Sequence, residues 1–151
     1  MNKKKAIIIS AGFLLLAAVF SFLLWITIMS TPLPDGTVDN VFVKPLESEL
    51  FTEQDYYKAV ECVKEYFPKY KNCELREIHY AGDDTTTNKN MDTDSDYEYI
   101  ELISKFYVKP STFFQPSNEA WPEGHTFYRW SWSLKRQKAN PDWTIYGCGQ
   151  G

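Results

Sequence analysis

Few residues in this chain have the types and spacing that chemistry needs. There are two histidines, His79 and His125, and three cysteines, Cys62, Cys73 and Cys148. Nucleophilic catalysis asks for a Ser or Cys beside a histidine, with an acid to orient it. No Gly-x-Ser-x-Gly is present, and nothing links Cys148 to either histidine. His79, next to Tyr80 in a strand-like stretch, is read as structural or solvent-facing before it is read as an acid or base. No Cys-x-x-Cys occurs and two histidines make a poor zinc set, so no metal and no cofactor is expected. The cysteines fit one disulfide plus a free thiol, or three reduced thiols packed as small apolar groups. Asp92-Thr93-Asp94-Ser95-Asp96 begins like a calcium loop, but Tyr97 takes the place of the turn glycine and Ile103 that of the closing glutamate. A solvated hairpin loop is the better reading. The aromatic loop Ser111–Gly124 offers Phe113, Phe114 and Trp121 between prolines. It is either a contact for a ligand or partner, or a cover over one end of a sheet.

The elements that must position these groups follow a run of apolar residues. Lys3-Lys4-Lys5 precedes Ala6–Met29, which holds no charged residue, no histidine and no proline. As a helix it would reach ~36 Å, the length of a membrane span. The competing readings are a cleaved signal and a buried soluble helix; the run is long for the first and apolar on every face, against the second. The lysines before it and their absence just after it place the N-terminus in the cytoplasm. The expected organisation is a stub at 1–5, a membrane anchor at 6–29, a linker at 30–40 and an extracytoplasmic domain at 41–151. All 20 acidic residues and 13 of the 16 basic ones lie beyond Met29, giving that part a formal charge of −7. Such a surface repels phosphate backbones and excludes nucleic acid as a partner.

Within the domain, Thr52 and Asp55 have the spacing of a helix cap, and Tyr56, Ala59, Val60, Val63, Phe67 and Tyr70 form one apolar stripe ended by Pro68. Val41-Phe42-Val43 is a short strand or a packing segment. Beyond the helix the period changes to two. Cys73–Tyr80 is a strand with an irregularity between Leu75 and Ile78. In Tyr99–Lys109, Ile100, Leu102, Ser104, Phe106 and Val108 share one face. In Thr126–Arg136, Tyr128, Trp130, Trp132 and Leu134 do so, and Trp143–Cys148 is the last strand. One helix followed by four alternating strands predicts an α+β fold: a curved four-stranded antiparallel sheet with the helix on one face. The second face carries Tyr107 and Arg129. It is either solvated or a shallow binding surface.

The blocks Thr52-Glu53-Gln54-Asp55, Ile78-His79-Tyr80, Ser104-Lys105-Phe106-Tyr107-Val108, Tyr128–Arg136 and Trp143–Gly149 together resemble a family of small extracytoplasmic proteins of Gram-positive bacteria with a domain of unknown function. That family is assigned to the cystatin-like superfamily, which also holds nuclear transport factor two-like domains. The resemblance implies a cystatin-like fold and carries no activity or catalytic residues. The inhibitory Gln-x-Val-x-Gly hairpin of cystatins is absent. The leading expectation is a non-enzymatic, membrane-anchored binding module whose partners are the membrane, through Ala6–Met29, and a protein or small ligand. Its candidate contacts are Phe113, Phe114, Trp121, Arg129 and Tyr107. The alternatives are a scaffold subunit of a cell-envelope complex and a steroid-isomerase-like enzyme, which would need a cavity where His79, Glu101 or Arg129 converge.

Overall fold

A computed structural model describes the backbone of residues 3–29, 31–90, 96–112, 115 and 117–150, with side chains for all of these except 3–11, 29 and 88–90. The described residues fall into two compact units, Met1–Leu33 with Ser111–Ser117, and Pro34–Pro110 with Asn118–Gly151.

The first unit holds helix α1, Lys3–Met29, whose apolar side chains, among them Phe13, Leu16, Phe20 and Trp25, are exposed. The expected membrane span is corrected: among the described residues no helix is long and apolar enough to cross a membrane. That finding conflicts with the expected single-pass placement, N-terminus in the cytoplasm and domain outside.

The second unit is an α+β layer pair. Helix α2, Glu53–Tyr66, opens on the expected cap. The Asp55 amide donates to Thr52 Oγ1 at 3.2 Å, and the Thr52 amide reaches back to Asp55 Oδ2 at 3.4 Å. Tyr56, Ala59, Val60 and Val63 are fully buried along one stripe, and a 3₁₀ turn at Phe67–Lys69, carrying Pro68, ends the helix.

The sheet is five-stranded and mixed, which corrects the four-stranded antiparallel expectation. Its strands run in spatial order β1 (Phe42–Val43), β2 (Cys73–Tyr80), β3 (Tyr97–Val108), β4 (Thr126–Gln137) and β5 (Thr144–Gln150). The last four form an antiparallel meander; β1 lies parallel to β2, with Phe42 opposite Glu77 and Val43 opposite Ile78. The short strand that was one of two readings of Val41-Phe42-Val43 forms at Phe42–Val43, but two residues are too few to show which strand they pair with or in which direction. The stretch before β1 is docked as well. Gly36 N donates to Pro68 O, and Thr37 bridges to Glu74. A Cβ on Gly36 would sit 2.6 Å from Tyr70 O, so only glycine lets the two backbones approach this closely.

A short helix, α3 (Asp83–Asn90), stands where sequence suggested polar loop. The side chains of α2 and the inner face of the sheet meet in a filled core in which Trp132, Tyr56, Phe67 and Phe106 are the bulkiest fully buried members.

Candidate functional site

Two irregularities in the sheet shape the face that α2 does not cover. On β2 the register passes from Leu75 opposite Phe106 to Glu77 opposite Lys105, leaving Arg76 as an extra residue. On β4 it passes from Trp130 opposite Ser104 to Phe127 opposite Phe106, so Tyr128 and Arg129 together stand against Lys105. Lys105 is therefore flanked by a bulge on each neighbouring strand. A bulge changes which side chains point to which face. Trp130, Trp132 and Leu134 face the core as the alternation predicts, but past the bulge Phe127 takes the inward position. Tyr128, expected in the core, is 67% exposed.

The result is a patch on three strands of Arg76, Glu77, Lys105, Tyr107, Tyr128 and Arg129. The Arg76 guanidinium lies 4.3 Å from the centre of the Tyr107 ring, and Lys105 Nζ 5.2 Å from that of Tyr128. Lys44 Nζ pairs with Glu77 Oε1 at 2.6 Å, and Arg76 Nε with Glu74 Oε1 at 3.3 Å. Four cations (Lys44, Arg76, Lys105, Arg129) thus stand against three carboxylates (Glu47, Glu74, Glu77). Neither Lys105 nor Arg129 has an ion-pair partner among the described residues. A locally basic surface has formed on an acidic domain.

His79 borders this patch. It lines a pocket of about 500 Å³ together with Phe42, Lys44, Glu47 and Gly82. Its Nδ1 lies 3.4 Å from Glu77 Oε1 but is buried without an aligned hydrogen-bond partner among the described residues. Burial, then the charge of Lys44 and more weakly of Arg129, pushes its pKa down against the opposing pull of Glu77. Glu77 is itself held low, chiefly by the hydrogen bond from Lys44. A histidine whose folded pKa is depressed takes up protons more readily in the unfolded chain, so stability falls as pH drops through the unfolded value of about 6.5. Thermal melting between about pH 8 and pH 5 should show this decline, and a His79→Gln chain should lose that part of it.

The other expected site residues are distributed. Tyr107 and Arg129 lie in the patch. Trp121 belongs to the core cluster, stacked on Tyr70 with centroids 5.5 Å apart and edge-on to Trp130 at 5.1 Å. Phe113 and Phe114 lie outside the described residues, as do positions 91–95 of the calcium-like loop. Glu101 faces away from the core but is 3% exposed, and its Oε2 accepts from Ser133 Oγ at 2.7 Å. A deep cone would have to occupy the space between α2 and the sheet, which aromatic side chains fill. His79, Glu101 and Arg129 all face the opposite side. The three cysteines are free thiols.

Lys105, Arg76 and Tyr128 were not singled out by sequence. The irregularity at Leu75–Ile78 was the one visible signal; nothing in Phe127-Tyr128-Arg129 marks where its alternation breaks. No family profile, no characterised protein and no solved structure matches this chain.

Proposed function

We propose that the Pro34–Gly151 unit is a non-enzymatic binding module that takes an acidic segment of a partner protein on the helix-free face of its sheet. The observation that supports this reading most is the pair of flanking bulges, which set Lys105 and Arg129, both without a carboxylate partner among the described residues, beside the exposed Tyr128 ring. Guanidinium groups bind carboxylates through paired, directional hydrogen bonds, and a ring next to them adds apolar contact. The surrounding negative charge rejects acidic chains everywhere except at this patch, which supports selectivity as well as affinity.

The test is a titration of the full chain with a glutamate-rich peptide, with Lys105→Glu and Arg129→Glu introduced together in the variant. Arg129 is exposed and Lys105 half-exposed, so the fold should persist. Binding should weaken by at least about tenfold in the variant and fall steeply with salt in the parent. Equal binding by both chains would defeat the reading.

A further inference from the structure

A second surface lies on the opposite side of the molecule's last strand. Between the outer flank of α2 and the segment leading into β5 is a groove of about 580 Å³. Tyr57, Cys62, Pro141 and Trp143 give it an apolar floor. Glu61, Glu65 and Asp142 stand around it as exposed carboxylates, with Lys58 lining it and Lys64 paired to Glu61 at 2.7 Å. The Cys62 thiol donates to Trp143 O at 3.3 Å and closes the seam between helix and strand.

The groove borders the open side of the sheet. β5 is an edge strand of seven residues, Thr-Ile-Tyr-Gly-Cys-Gly-Gln, with neither charge nor proline along it. Exposed edges are ordinarily guarded by such residues or kept very short. The opposite edge, β1, follows that rule: it has two residues and runs into Lys44 and Pro45. Among the described residues, the one such guard on β5 is a bulge where it passes Ser133 and Leu134.

We propose that β5 and this groove form a docking site for an extended, basic segment of a partner protein. The segment would add as a sixth strand, with main-chain hydrogen bonds to β5, and send a lysine or arginine on its apolar stem into the groove. The stem would lie along Tyr57 and Trp143, and the charge would meet Glu61, Glu65 and Asp142. Charge complementarity selects this occupant. A second copy paired symmetrically through the same edge would bring its own carboxylates to the groove and be repelled.

The probe is a fluorescent, end-capped peptide of alternating lysine and valine, titrated into the full chain at low and high salt. Saturable binding is expected, with slowed amide exchange in β5 and a loss of at least about tenfold in the Glu61→Lys, Glu65→Lys variant. Both glutamates are exposed on a helix surface, so the variant should fold. The Lys105→Glu, Arg129→Glu chain should bind this peptide as the parent does, which separates the site from the basic patch. The proposal is overturned by absent binding, by equal binding of a glutamate–valine peptide, by an unaffected Glu61/Glu65 variant or by unchanged exchange in β5. A dimer of the chain that the peptide fails to displace would overturn it too.

Discussion

Replacing Trp132 with alanine should cost about 4 kcal/mol of folding stability, the middle of the range for removing a large buried aromatic side chain. Trp132 is fully buried and sits where the helix layer meets the sheet. Its ring is edge-on to Tyr66 at 6.0 Å and packs at a steep angle against Tyr70 at 5.4 Å. Its Nε1 donates to Ser104 Oγ at 2.8 Å across the β3–β4 ladder. Alanine would open a cavity between rings that cannot all collapse inward, and would strip the Ser104 hydroxyl of its indole partner. Trp132→Phe separates these effects: it keeps most of the volume and should cost about 1–2 kcal/mol. Urea denaturation of the three chains measures both.

Arg136→Ala should be the next most damaging change, at about 2 kcal/mol near neutral pH, between the values for exposed and buried ion pairs. The guanidinium joins three elements. Nη1 reaches Asp55 Oδ1 on α2 at 2.5 Å, and Nη2 reaches Glu98 Oε2 on β3 at 2.6 Å. The plane lies 4.4 Å from the Trp143 ring centre. The guanidinium side chain is 13% exposed while Asp55 and Glu98 are 24% and 37% exposed, so its removal leaves two partly solvated carboxylates without their shared cation. Asp55 is held below the usual carboxylate range first by its hydrogen bond from Arg136 and then by those from Thr52. A lowered carboxylate pKa stabilises the fold above the unfolded value and loses that effect as pH falls through the folded one. The gap between parent and variant should therefore be widest near neutral pH and narrow on acidification toward about pH 3, again read by denaturation. Arg136→Lys would not restore both contacts, because an ammonium lacks the planar fork.

The parts of the fold legible in sequence were those with enough repeats to show a period. The stripe from Tyr56 to Tyr70 and the Thr52–Asp55 cap placed α2 because each turn repeated the same instruction. β3 was legible from Tyr99 to Val108 for the same reason. β1 was readable only as one of two alternatives for Val41-Phe42-Val43, and its parallel pairing was not, since two residues carry no period and Gly36 and Thr37 dock alongside the turn after α2 and the start of β2. Helix α3 was hidden by composition: threonine and asparagine are weak helix formers. Tertiary contacts hold its start instead, with Ser48 Oγ and Tyr80 OH both donating to Asp83 Oδ1, at 2.6 and 2.9 Å. Of the site, Arg129 and Tyr107 were visible as exposed-face residues. Their grouping with Lys105, Arg76 and Tyr128 depends on two bulges, and a bulge on β4 inverts the alternation that had assigned Tyr128 to the core. Local pattern reports which residues alternate; it does not report where the ladder slips.

The most direct test of the basic patch is backbone amide NMR of the full chain titrated with the glutamate-rich peptide. Saturable shifts should concentrate at Arg76, Glu77, Lys105, Tyr107, Tyr128 and Arg129, and spare the outer flank of α2 from Tyr57 to Glu65. Shifts that gather on that flank, or none at saturating peptide, would contradict the assignment.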